Sequence, residues 1–213
     1  MLKGKQMVGV LAGLVISVAA SAQVETDIKA GDVVVPVLTM GEGEHVVIAL
    51  HGAGGNTRNF FFGDNGAQFG QGLAKAGFRV IAPTWSGQVG GGFAELGAAI
   101  EHARSTGAKK ISLMGHSRGG ELAANYARKQ EDGTFDTVVQ LASVDDQGLA
   151  LAKTKKVFAF NKYDKWANWQ PAAFEKSAEP KQIIALGGGG HPVSALVKEQ
   201  PTLLADVVAT LKK

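Results

Sequence analysis

Apolar positions along this chain come in two spacings. Residues 45–50, 78–82, 111–114, 137–141, 157–160 and 182–186 are short, almost continuous apolar runs rich in β-branched side chains. Strands buried on both faces of a parallel sheet have this composition. Between them the apolar positions take a helical period. Phe93, Leu96, Ile100 and Ala103 recur at i, i+3, i+7 and i+10 and predict a helix over 93–105, with Gly107 as its stop. Shorter patterns predict helices over 67–76 (Phe69, Leu73, Ala76 on one side) and 118–130. A closing amphipathic helix over 201–211 carries Leu204, Val207, Val208 and Leu211. Residues 33–38 read as a first strand, and Pro36 places it at a sheet edge. Strands alternating with helices predict an α/β fold, a mostly parallel central sheet with helices on both faces. Right-handed crossovers then bring the carboxyl ends of the strands to one edge, where ligands bind.

The N-terminus departs from this pattern. Lys3 and Lys5 precede an apolar stretch over 7–20, and Ala20-Ser21-Ala22 is an A-x-A cleavage site. Residues 1–22 therefore read as a secretory signal peptide and 23–213 as a single domain. The apolar run is short for a membrane span, so cleavage is expected to leave no stable membrane anchor and an exported protein, periplasmic or secreted. The leader takes two lysines with it. Since the whole chain has 22 basic and 19 acidic residues, the mature part is close to neutral. No basic stripe with interleaved aromatics is present, which argues against a nucleic-acid partner. With no cysteine, disulfides and thiolate metal sites are excluded.

The chemistry gathers where strands end. Gly115-His116-Ser117-Arg118-Gly119 reads G-x-S-x-G between an apolar run and a helix-forming one. That context suits a sharp turn with an exposed serine at its tip, and the two glycines let strand and helix approach closely. His51-Gly52-Ala53-Gly54 follows the run ending at Leu50. Asp145 and Asp146 follow Leu141, Asp164 follows Phe160, and His191 follows Leu186 and four glycines. Serine, acid and histidine thus share one edge, in the chain order of a serine triad on this architecture. The glycine loop lacks the Gly-Lys-Ser/Thr of a phosphate loop and the third glycine of a dinucleotide fingerprint.

These two motifs, with His191 past the last strand, resemble the α/β-hydrolase superfamily over nearly the whole mature chain. The resemblance implies a serine hydrolase that needs no cofactor and no metal. It implies Ser117 as nucleophile and His191 as base, with Asp164 or the alternative pair Asp145 and Asp146 as acid. Backbone N–H groups of Arg118 and of Ala53, or Gly54, would form the oxyanion hole. His51 would take a structural part in its loop, and His116 would pack inside the elbow.

A serine with a base and an oxyanion site cleaves acyl bonds. The expected reaction is hydrolysis of a carboxylic ester through an acyl-serine. A peptidase, amidase or thioesterase would use the same residues, and a non-catalytic binding protein could share the fold. The expected partner is a small-molecule or acyl substrate. Among the aromatic residues near these loops, Trp85 and Tyr163 are the pocket candidates. Phe60, Phe61, Phe62, Trp166 and Trp169 are the others. Only residues 147–152 are available as an insertion after the strand ending at Leu141, so the site is expected to lack a helical lid.

Overall fold

In the computed structural model, which describes residues 22–30, 32–57, 61 and 63–213, the strand-forming runs assemble into one eight-stranded sheet. The leader up to Ser21, Phe60 and Phe62 lie outside the described residues. The strands are β1 (Val24–Ala30), β2 (Val33–Met40), β3 (His45–Leu50), β4 (Arg79–Pro83), β5 (Lys110–His116), β6 (Thr137–Leu141), β7 (Lys155–Asn161) and β8 (Lys181–Leu186). Their order is β1-β2-β4-β3-β5-β6-β7-β8. From β4 to β8 every neighbouring pair is parallel, whereas β2 runs antiparallel to β4 and β1 antiparallel to β2.

The continuous apolar runs are explained by two separate cores. Along β3, Val46, Ile48 and Leu50 enter one core, and Val47 and Ala49 enter the other. Successive strand side chains point to opposite faces, so a strand covered on both sides has no polar face to show. Helices α2 (Phe93–Ser105) and α3 (Arg118–Arg128) cover the first face through Leu96, Ile100, Leu122 and Ala123. Helices α1 (Phe69–Lys75), α5 (Val193–Glu199) and α6 (Leu203–Leu211) cover the second through Phe69, Leu73, Leu196 and Val207. A further helix, α4 (Gln170–Lys176), packs Phe174 edge-on against Phe158 of β7, with ring centres 5.8 Å apart. Strand β8 ends the sheet, and there Ile183 is exposed.

Two expectations need correction. Strand β2 is not the edge; β1 lies outside it. In β1 (VETDIKA) Ile28 is the one buried core residue among the described side chains, and the sequence has no apolar run to announce the strand. Pro36 is tolerated one place in because its carbonyl accepts Thr84 N–H at 2.9 Å, just past the end of β4. A residue's N–H and C=O face the same neighbour in an antiparallel pair. The missing donor therefore falls where the β2–β4 ladder has already run out. Helices α4 and α5 are likewise additional to the predicted set.

Candidate active site

Ser117 joins β5 to α3 in a conformation that side chains rarely adopt, φ 52° and ψ −120°. Holding a non-glycine residue there costs on the order of 1–3 kcal/mol, and the surroundings enforce it. Ser117 N–H donates to Leu141 O on β6 at 3.0 Å, and Ser117 O accepts from Gly120 N at 3.0 Å. A Cβ on Gly115 would overlap the backbone of Gly119, and one on Gly119 would overlap the carbonyls of Leu50 and His51. Both glycines of the motif are thus required by close backbone approach. The turn leaves the serine at the surface end of the strand, 8% exposed.

Opposite Ser117, the loop after β3 makes a tight turn. Gly55 N–H donates to Gly52 O at 3.2 Å, and Gly54 takes φ +66°. A Cβ on Gly52 would lie 2.8 Å from His116 Nδ1 and 3.1 Å from Ser117 Cβ, so loop and elbow touch. Ala53 is exposed at the tip of the turn. Arg118 is the first residue of α3, so its N–H lacks an intrahelical acceptor. Its guanidinium is engaged with Glu121 at 2.6 Å.

Beyond β7 and β8 the structure brings Asp164 and His191 together. His191 Nδ1 donates to Asp164 Oδ2 at 2.6 Å, with the His191 side chain 25% exposed and the Asp164 side chain 1%. A carboxylate only accepts, so this bond places the proton on Nδ1 and leaves Nε2 as the acceptor. The other carboxylate oxygen accepts Trp166 N–H at 2.9 Å, and Asp164 N–H donates to Asn161 O at 3.1 Å. Asp145 is elsewhere: Arg128 grips its two oxygens at 2.7 and 3.1 Å, and Gln140 adds a contact at 3.4 Å. Asp146 is exposed at the rim.

Ser117, Ala53, Arg118 and His191 open onto one cavity of about 550 Å³. Its far wall is Val144, Asp146, Trp166 and Trp169. Among the described residues no hydrogen bond joins Ser117 to His191. The segment between β6 and β7 contains no helix, so no lid covers the opening from there.

The two aromatic pocket candidates are corrected. Trp85 is only 6% exposed and lies beneath the glycine loop. It stacks on His51 with ring centres 5.5 Å apart and donates from Nε1 to His51 O at 3.2 Å. The ring supports the loop from below instead of meeting a ligand. Tyr163 is 79% exposed and does not line the cavity. Trp166 and Trp169 do line it, and the signal was available: Trp166 follows Asp164 by two residues, within the turn that the carboxylate closes. Phe61 is buried in the core.

His51 and His116 are both buried, and burial lowers the basicity of both. His116 is lowered to about 3, so it is neutral over the ordinary pH range. His116 Nε2 donates to the main-chain carbonyl of His191 at 2.8 Å, and the two imidazoles lie 4.6 Å apart, centre to centre.

Comparison with known proteins bears on the fold and the family. A dienelactone hydrolase from Anabaena variabilis superposes with a TM-score of 0.72 at 18% identity, over 90% of this chain and 95% of that one. A predicted CIB-like hydrolase from Thermoplasma acidophilum gives 0.64 at 18% identity, over 90% and 99%. At that identity the likeness establishes the fold. No curated protein sequence matches. The alpha/beta hydrolase family matches residues 47–162, from β3 through the elbow to the end of β7, and the chain belongs to that family.

Proposed function

We propose that the protein is a serine hydrolase that cleaves a carboxylic ester through an acyl-serine intermediate. One observation carries the reading. His191, bonded to the buried Asp164 at 2.6 Å, opens onto the same cavity as a serine held at φ 52°. His191 Nε2 takes the proton of Ser117 Oγ as that oxygen attacks the ester carbonyl carbon. The carbonyl oxygen becomes an oxyanion and receives the N–H groups of Ala53 and Arg118. His191 then returns the proton to the departing alkoxide. Asp164 holds the imidazole in the required tautomer and stabilises its charged form. Water repeats the sequence on the acyl-serine and releases the acid.

The site is open and partly walled by indole rings, which favours a small or extended ester over a buried long chain. Rates rising steadily with acyl length would count against that. The fold neighbour named for a lactone, a cyclic ester, is compatible with the reading. The protein would work outside the cytoplasm after cleavage following Ala22. A mass for the exported chain that retains residues 1–22 would refute that step.

Reaction of the mature protein with a fluorophosphonate probe tests the nucleophile. Stoichiometric labelling that disappears in Ser117→Ala is expected. An intact protein that takes no label would overturn the proposal.

A further inference from the structure

Four glycines, 187–190, precede His191. Their side chains offer no grip, and glycine loses more backbone freedom on ordering than any other residue. None of the four takes a positive φ. Close approach accounts for two of them: a Cβ on Gly188 would press on Glu199, and one on Gly190 on Ala195. The loop is nevertheless placed to bring His191 Nδ1 within 2.6 Å of Asp164. Its order must come from groups outside it.

Those groups are donors at the ends of the neighbouring strands. Tyr163 N–H reaches Gly188 O at 3.1 Å. Two buried side chains take the next carbonyls, which are consecutive. Asn161 Nδ2 donates to Gly190 O at 2.7 Å, and His116 Nε2 donates to His191 O at 2.8 Å. Asn161 is 1% exposed and His116 4%. Each has a second attachment that gives its clamp a meaning. The backbone carbonyl of Asn161 accepts Asp164 N–H, so one residue ties the loop of the acid to the loop of the histidine. His116 is covalently next to Ser117, so the other residue ties the histidine to the elbow. Desolvation keeps His116 neutral, the state in which an imidazole with its proton on Nε2 meets a carbonyl without bringing a charge into the site.

Resting on the serine-hydrolase reading above, we infer that His116 and Asn161 are positioning residues that set the two separations of the proposed triad. Asn161 fixes acid to base, and His116 fixes base to nucleophile. Neither touches substrate. Their effect belongs in kcat, because a displacement of about 1 Å at a reacting group costs on the order of 10²-fold. KM should stay where it is.

The test uses the mature protein with His116→Leu, His116→Gln, Asn161→Leu and Asn161→Ser. Steady-state kinetics on a short nitrophenyl ester, fluorophosphonate labelling rates and melting temperatures are compared. The proton NMR signal of the His191 Nδ1–H···Asp164 bond is followed in parallel. His116→Leu and Asn161→Leu should each lower kcat about 10- to 100-fold with KM within about twofold. The low-field proton should broaden or vanish in Asn161→Leu. His116→Gln places an amide donor near the position of Nε2 and should recover to within about fivefold of wild type. Asn161→Ser is the smaller lesion and keeps the measurement readable if the leucine variant folds poorly. Wild-type kcat in folded His116→Leu and Asn161→Leu would overturn the inference. So would equal losses in His116→Gln and His116→Leu, which would mean packing and not donation. Either result, obtained with a wild type that labels at Ser117, leaves the serine-hydrolase reading standing. A wild type that takes no label removes both.

Discussion

Asp145 and Asp164 lie just past the carboxyl ends of neighbouring strands, β6 and β7, at 3% and 2% exposure. Each accepts the N–H of the residue two places on, Gln147 at 3.4 Å and Trp166 at 2.9 Å. They differ in their basic partners. Arg128 from α3 forks across both oxygens of Asp145 and also donates to Gly148 O at 2.8 Å, which locks the loop after β6 onto the helix. A guanidinium stays charged at any pH a protein survives. His191 meets Asp164 through one bond, and an imidazole can take and release a proton. Two aspartates with the same address on the sheet are thus distinguished by what faces them: a permanent cation fastens one to its helix, and the other meets the imidazole that the proposed mechanism uses.

Replacing the two aspartates in turn is the strongest attempt to break this contrast. Asp164→Asn keeps the shape of the loop but offers a donor to Nδ1 and so favours the wrong tautomer. A fall in kcat of about 10⁴-fold, with a melting temperature close to wild type, is expected from steady-state kinetics and calorimetry. A loss below tenfold would place the acid elsewhere. Asp145→Asn should do the reverse. It strands the Arg128 charge beside a neutral amide, a change worth about 3 kcal/mol of stability. Melting should fall by about 10 °C in a protein of this size, with kcat within about threefold. A pattern with the two effects exchanged would mean that the assignment of the two loops is inverted.

The sheet and the elbow were legible because their signals are local. A strand covered on both faces must be apolar throughout, and the G-x-S-x-G spacing sits within five residues, with Gly115 forced by the backbone of Gly119 and Gly120. The choice between Asp164 and Asp145 was not local. It depends on Arg128 of α3 and on His191 reaching across from β8, and no spacing encodes either. Strand β1 stayed hidden for a related reason: it is held by backbone pairing to β2, with Ile28 buried and residues 24–27 exposed, so its residues need not be apolar. Trp85 misled for the opposite reason. It does follow a strand at the active edge, but its ring turns under His51, and the close fit of Gly87 and Gly92 against Ala53 and Trp85 draws that loop inward.

A buried imidazole predicts where acid acts on the fold: desolvation lowers His116 from 6.5 to about 3. The folded chain then holds fewer protons than the unfolded chain between those values, so stability rises with pH across the window. The contribution is complete above about pH 6.5 and is lost as the pH falls toward 3. His116→Gln removes the titrating group and keeps a donor. Urea titrations at pH 7 and pH 4 should show the wild type losing roughly 2–3 kcal/mol more than the variant over that interval. Parallel losses would move the acid sensitivity to another group.

The smallest effects should come from the rings around the acid loop, where exposure distinguishes neighbours that the sequence does not. Tyr163 precedes Asp164 by one residue and Trp169 follows it by five. Tyr163 is 79% exposed and off the cavity; Trp169 is 42% exposed and forms part of its wall. An indole face that a substrate covers contributes about 1 kcal/mol through contact and stacking. Trp169→Ala should therefore raise KM about three- to tenfold for an aryl ester, while kcat holds because no reacting atom has moved. Tyr163→Ala should leave both within about twofold. If Tyr163→Ala raised KM as much as Trp169→Ala, the substrate would have to extend past the cavity and over the outer face of the loop. The open side of the site, and not its floor beside Ser117, would then govern selection.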